Sequence, residues 1–211
     1  MPKFPTILRE TKSWFVIDKP SGLHTVASKK NLEPSVEGWL KENFPEQNIL
    51  TEAGIVHRLD QVTSGCLLVA KNDESFEHLK KLIHSETGMN KTYLALVKGK
   101  CSSGKFDFNF SSRYKGSKKV TVAESGKASE QGQCRWEFLE FKNGFSLLKI
   151  SLLSPGRRHQ IRAGLAHLGF PIRGDVLYGG PGWKNNFGLH AFSLKWDKNE
   201  VECSPPKTWE I

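Results

Sequence analysis

The chain has 211 residues and a formal charge of +9, from 31 Lys and Arg against 22 Asp and Glu. That length can bury a sizeable core, as one large domain or two packed halves; no run of about 18 apolar residues could cross a membrane as a helix, and the start, MPKFPTILRE, lacks the apolar stretch of a secretory signal. Cys66, Cys101, Cys134 and Cys203 form no CxxC pair, which argues against a zinc site or a disulfide framework and for reduced thiols in the cytoplasm. In chain order, residues 14–18 read as a short strand stopped by the turn Lys19-Pro20-Ser21-Gly22. Ser35 is placed to cap a short helix carrying Val36, Trp39, Leu40 and Phe44 on one side. Residues 55–59 and 66–70 read as two strands, and Asp73 as the cap of a helix to about residue 85 with Phe76, Leu79, Leu82 and Ile83 on its apolar face. A strand follows at 92–97. Residues 101–133 are rich in Gly, Ser and Lys, with short strands expected near 106–110 and 119–122. Strands at 134–141 and 145–153 flank Lys142-Asn143-Gly144, where Asn-Gly marks a hairpin. After Pro155-Gly156 the spacing of Ile161, Leu165 and Leu168 predicts a helix, ended by Gly169 with Pro171 beyond. A last strand is expected at 189–196. Mostly antiparallel strands with a few flanking helices give an α+β fold.

One stretch stands out for chemistry. Residues 54–71, GIVHRLDQVTSGCLLVAK, place Asp60 between His57-Arg58 and Thr63-Ser64-Gly65, with apolar runs on either side. Core packing explains such a carboxylate poorly, because a buried one needs a partner; a reactive group held on a rigid scaffold explains it well. The cations are also grouped. Arg113, Lys115, Lys118, Lys119 and Lys127 share one Gly/Ser-rich region, as solvated surface charge or as contacts to a nucleic-acid backbone. Arg157, Arg158, Arg162 and Arg173 surround a second motif. His24, His78, His84 and His167 have no ligand-like spacing, and no metal site is expected.

The Asp60 stretch resembles the signature of the RluA-type pseudouridine synthases: His-Arg-Leu-Asp, two variable residues, then Thr-Ser-Gly, with the aspartate catalytic. The resemblance continues in order along the chain. Residues 17–23, IDKPSGL, look like the family's first motif, a turn that supports the catalytic loop. Lys91-Thr92-Tyr93 looks like its Lys-x-Tyr segment, and residues 156–162, GRRHQIR, like its third motif; residues 171–175 and 189–191 match the blocks that follow. The resemblance implies a single catalytic domain over 1–211, two halves around a central cleft, that isomerises uridine in RNA to pseudouridine. The N1–C1′ bond breaks, the uracil turns, and C5 joins C1′, without a nucleotide cofactor or a metal. Asp60 would attack the nucleoside or stabilise positive charge as the bond breaks. Arg157 would be the cation beside it, lowering its pKa. Tyr93 would stack on the flipped uracil or move a proton, stacking being easier for a phenol whose ordinary pKa is near ~10. On an extended strand Arg58 and Asp60 would point the same way, so Arg58 could fill the space the base vacates. Arg162 would reach phosphate, with Arg158, Lys118 and Lys119 as further RNA contacts, Ile161 packed beneath the site and His57 structural.

Two positions depart from the family's pattern. Pro155 stands where Thr is usual, and Gly164 where His is usual, at a helix cost of about 1 kcal/mol relative to Ala. The first motif begins near Trp14, so the sequence reading expects no S4-type RNA-binding domain, a monomer, and a compact stem-loop of tRNA or rRNA as partner. Two other classes compete: a non-catalytic RNA-binding protein with the same fold, for which Asp60 would be superfluous, and a glycosidase, which needs two carboxylates flanking the bond. Asp18 and Asp175 are the only other carboxylates near motifs, and both read as turn residues.

Overall fold

A computed structural model describes residues 4–27, 34–85, 88–112, 114, 116–127, 130–153, 155–182 and 187–209; Arg113 and Lys115 of the basic cluster lie outside them. In chain order the elements are β1 (Thr6–Glu10), β2 (Trp14–Lys19), α1 (Val36–Asn43), β3 (Ser64–Ala70), α2 (Asp73–His84) and β4 (Met89–Lys98). They continue with β5 (Gly104–Ser111), β6 (Thr121–Ala123), β7 (Gln131–Lys142), β8 (Phe145–Leu152), α3 (Gln160–His167), β9 (Leu189–Trp196) and β10 (Asn199–Glu202). The chain forms two compact units, Met1–Met89 with Ala191–Ser204, and Asn90–His190 with Pro205–Ile211. Among the described residues no helix is long and apolar enough to cross a membrane.

In the first unit the strands lie in the order β1, β2, β3, β9, with β10 beside β9. All seven residues of β3 are buried, which is why its sequence is a continuous apolar run rather than an alternation. Trp14, Val16, Leu68, Leu79, Leu194 and Trp196 share one core, with the Trp14 and Trp196 rings edge to face at 4.9 Å. The antiparallel register of β2 on β3 runs from Trp14 opposite Ala70 to Lys19 opposite Gly65. It therefore sets the first-motif turn beside the Thr-Ser-Gly turn.

Three local expectations change here. The cap of α2 is Asn72, whose Oδ1 accepts from Ser75 N at 2.9 Å, and Asp73 takes the first turn. Strands β1 and β10, absent from the sequence reading, close the two edges; β1 is exposed at every residue and carries no burial pattern to detect. The strand expected at 55–59 is a loop with one isolated bridge, Ile55 to Val69. Glu52 (φ 48°), Ala53 (φ 54°) and Gly54 (φ 77°) turn the chain through left-handed backbone just before it, and the Leu68 N–H goes to the His57 ring Nε2 instead of a strand carbonyl. Strand alternation consequently does not govern where Arg58 and Asp60 point.

The second unit orders its strands β4, β8, β7, β5, β6, with each neighbouring pair antiparallel. Asn143 (φ 52°) and Gly144 (φ 82°) turn the β7–β8 hairpin as expected. Phe106 centres an aromatic cluster, its ring 5.0 Å from Phe108, 5.9 Å from Phe110 and 6.1 Å from Trp136. Helix α3 lies against it. A Cβ on Gly164 would sit 2.3 Å from the Phe106 ring, so the residue that looked like a helix defect is the one that lets α3 approach the sheet.

Candidate active site

Asp60 follows Leu59 at the start of a tight turn closed by Thr63 N donating to Asp60 O at 3.1 Å. The first-motif loop clamps this turn at successive backbone positions. Thr25 Oγ1 donates to Leu59 O at 2.6 Å and accepts from Leu59 N at 3.2 Å. Gly22 N donates to Gln61 O at 2.8 Å, and Ser21 Oγ donates to Val62 O at 2.5 Å. Gly65 closes the segment: at φ 107° its absent Cβ would lie 2.3 Å from Ala191 O of β9, a backbone approach that only glycine allows. Asp60 itself is half-buried. Its neighbours on both sides are fixed, so the carboxylate is carried on a rigid turn.

Lys19 is the residue the sequence reading passed over. It is fully buried, and its Nζ donates to Pro20 O at 3.0 Å, Leu23 O at 2.7 Å and Gln61 O at 3.1 Å. Three acceptors use all three hydrogens of an ammonium, so the charged form ties the first motif to the Asp60 turn. Burial pulls the Lys19 pKa down to about 7, while Asp60 and then Asp18 oppose that fall. The resemblance had marked this motif as a support; the buried cation beside Asp60 is a finding of the structure.

Arg58 is exposed and paired with Glu52. Glu52 stands in left-handed backbone, a conformation that costs a non-glycine residue about 1 kcal/mol or more. The segment is pinned by Gln47, whose buried Nε2 donates to Ala53 O and Ala70 O, each at 2.9 Å.

The remaining expected site residues belong to the second unit. Tyr93 is buried in the middle of β4, opposite Ile150 of β8. Arg157 is half-buried; its Nε donates to Gln131 O at 2.8 Å and its backbone N to Gln160 Oε1 at 2.9 Å. Gln160 also donates to Gln133 O at 3.0 Å, so one buried amide ties the arginine's backbone to β7. Among the described residues neither terminal nitrogen of Arg157 donates a hydrogen bond. Arg158 gives one terminal nitrogen to Ser117 O at 2.8 Å and Lys118 O at 3.0 Å, which joins the third motif to the loop bearing the exposed Lys118 and Lys119.

Arg162, expected at phosphate, is instead buried and forked onto Asp175: Nε to Oδ2 at 2.8 Å and a terminal nitrogen to Oδ1 at 2.9 Å. Its guanidinium lies 5.4 Å from the Tyr178 ring and 5.2 Å from the Phe187 ring. Tyr178 in turn holds His159 Nδ1 at 2.9 Å and accepts from Val120 N at 2.8 Å. Asp175 is thus the interior partner of Arg162 rather than only a turn residue, a pairing across 13 positions that no local pattern announces. No group of three His, Cys, Asp or Glu among the described residues could hold a metal ion.

The family described as "RNA pseudouridylate synthase" matches residues 13–167. The chain is 34% identical over 174 residues to ribosomal large subunit pseudouridine synthase D of Nitrosomonas europaea, covering 82% of this chain and 49% of that protein. It is 33% identical over 216 residues to ribosomal large subunit pseudouridine synthase C of Pasteurella multocida, covering 97% of this chain and 61% of that protein. The chain thus spans about half to three fifths of the length of these relatives. In fold it is similar to human RNA pseudouridylate synthase domain containing 4, with a TM-score of 0.76, 19% identity, and coverage of 97% of this chain and 90% of that one.

Proposed function

The chain belongs to the RNA pseudouridylate synthase family, and from that premise we propose that it isomerises uridine in RNA to pseudouridine with Asp60 as the catalytic carboxylate. The observation that carries this reading is the Asp60 turn: a half-buried carboxylate on backbone clamped residue by residue, with a buried lysine cation beside it. A rigid, pre-oriented charge is what stabilisation of a developing positive centre at C1′ requires, because no reorganisation is then needed during the reaction. The electron pair of the N1–C1′ bond leaves with the uracil, C5 of the same ring attacks C1′, the C5 proton goes to solvent, and N1 takes one up. The sum is an isomerisation.

Arg157 is assigned a catalytic role, with terminal nitrogens uncommitted among the described residues. Tyr93 is assigned as the surface on which the uracil rests. Exposed Lys118 and Lys119, with Arg158 bonded to their loop, and exposed Arg58 are assigned to the RNA. Arg162 is assigned to the interior, holding Asp175. The names of the relatives make large-subunit ribosomal RNA the first substrate to try, with tRNA second, and the reading places a monomer in the cytoplasm.

The test is tritium release from unmodified ribosomal RNA and tRNA labelled at uracil C5, since joining C5 to C1′ expels that hydrogen. Wild type is expected to release tritium, and Asp60→Asn to release it at least about 10³-fold more slowly while still retaining RNA on a filter. RNA bound without release by wild type overturns the reading in favour of a binding protein. Free uracil as product overturns it in favour of a nucleosidase.

A further inference from the structure

We propose that Lys91 is a second substrate-contacting cation: its ammonium donates a hydrogen bond to a carbonyl oxygen of the uracil and stabilises the ring as an anion once the N1–C1′ bond has broken. The inference rests on the reading above, in which Tyr93 lies against the target base.

Burial along β4 alternates at the relevant end: Met89, Lys91 and Tyr93 are buried, Asn90 is exposed and Thr92 half-buried. Lys91 and Tyr93 therefore occupy one face of the strand, about 6.6–6.8 Å apart along it, a spacing that a single pyrimidine ring can bridge. Burial lowers the Lys91 pKa to about 8, and desolvation is its only cause, with no carboxylate acting against it. Among the described residues, Nζ makes no hydrogen bond and no ion pair.

The contrast with Lys19 is direct. Both lysines are buried, but Lys19 spends its three hydrogens on three carbonyls and has two aspartates raising its pKa. A buried ammonium without such compensation is costly. On the buried face of β4, Lys91 holds its cation two residues from the one assigned to the base.

The reaction supplies the anion. Heterolysis of N1–C1′ leaves the bonding pair on uracil N1, delocalised onto O2 and O4. A hydrogen bond from the ammonium is stronger to that anion than to the neutral base, so it acts where charge develops. Lys91 itself need give up no proton. C5 then donates its electron pair to C1′, the C5 proton leaves to solvent, N1 takes up a proton from solvent, and Lys91 returns unchanged.

The test varies the leaving group. Large-subunit ribosomal RNA is transcribed with uridine or with 5-fluorouridine, whose base is the more stable anion and needs less help to leave. Single-turnover loss of the N-glycosidic nucleoside is followed by nuclease digestion and mass spectrometry, with enzyme in excess of RNA. Lys91→Met is expected to slow the uridine substrate about 10²-fold and the fluorinated one about 10-fold or less. Lys91→Gln, which keeps a donor without the charge, gives the same ratio and serves if the Met variant does not fold by circular dichroism; Lys91→Arg restores most of the uridine rate. Equal slowing of both substrates overturns the proposal, as does a loss of RNA affinity with an unchanged rate on bound RNA, which would make Lys91 a phosphate contact. Tritium release by wild type separates the two levels: without it the isomerase reading itself falls, whereas an active wild type with equal sensitivity removes only Lys91.

Discussion

Two motif regions each carry an arginine paired with a carboxylate, and the pairs have opposite fates. In the Asp60 region the Arg58 and Glu52 side chains are 63% and 28% exposed. In the third-motif region the Arg162 and Asp175 side chains are 7% and 1% exposed. The exposed pair sits in water, where screening and side-chain entropy leave it little net worth. The buried pair has given up its hydration and depends on its own fork geometry. Of these two motif arginines one stays open to solvent and one is committed to the interior, and burial makes the difference.

The largest effect should come from breaking the buried pair one side at a time. Arg162→Met leaves the Asp175 carboxyl without its guanidinium partner at 1% exposure, and is expected to cost 3–5 kcal/mol, roughly, in urea unfolding. Replacing both, Arg162→Met with Asp175→Leu, should recover most of that loss. A stable Arg162→Met with a shallower salt dependence of RNA binding would return Arg162 to the phosphates.

Gly164 sharpens the same contrast in apolar terms. Helix propensity alone predicts that Gly164→Ala adds about 1 kcal/mol of stability. The Phe106 ring in the space of that Cβ reverses the sign, and overpacking of roughly 1–3 kcal/mol is expected, relieved in Gly164→Ala with Phe106→Leu. A stabilised Gly164→Ala would show that α3 can move off the sheet.

That reversal marks what the sequence carried and what it did not. The Asp60 turn, the Ser35 cap, with Oγ accepting from Gly38 N at 3.0 Å, and the Asn143-Gly144 hairpin are legible because each is encoded within a few residues. The loop at 55–59 misreads as a strand because its apolar spacing fits one, while the left-handed backbone at Glu52 and Ala53 is held by Gln47, whose amide also bonds Ala70, 23 positions along the chain. The inward fate of Arg162, the clash at Gly164 and the burial of Lys19 are tertiary facts. The motif resemblance located these residues without telling which of them face the interior.

Lys19 brings the comparison to the Asp60 turn itself, where the buried cation is held by carbonyls rather than by a fork. Its folded pKa, about 7, lies below the ordinary lysine value of 10.5, so between those values the unfolded chain binds more protons and stability rises with pH. The burial cost is complete below about 7 and gone above 10.5. Wild type should therefore gain stability relative to Lys19→Met on going from pH 7 to pH 9, measured by urea unfolding of both proteins at each pH. Catalysis should move the other way. A neutral amine has only two hydrogens for three carbonyls, so the Asp60 turn loosens and the single-turnover rate falls as pH rises through this range. A rate that holds level to pH 9 would leave Lys19 with a packing role only.

The smallest effect on stability is expected at the exposed pair, and it is there that function and folding separate most cleanly. Glu52→Gln keeps the side-chain length and leaves the left-handed backbone unchanged, so it isolates the charge. Its cost should be within about 1 kcal/mol, whereas Glu52→Gly, which also removes the backbone strain, should offset part of that cost. RNA binding should respond more than stability does. With Glu52 neutral, Arg58 no longer exchanges a carboxylate for a phosphate, and the removal of one negative charge from the surface proposed to face RNA favours a polyanion. Filter binding at low salt should tighten severalfold in Glu52→Gln and lose that gain when Arg58→Met is added. If Glu52→Gln instead destabilises the protein by several kcal/mol and leaves RNA affinity untouched, the Glu52–Arg58 pair belongs with Asp175 and Arg162, as part of the scaffold, and the RNA-facing arginine must be sought elsewhere.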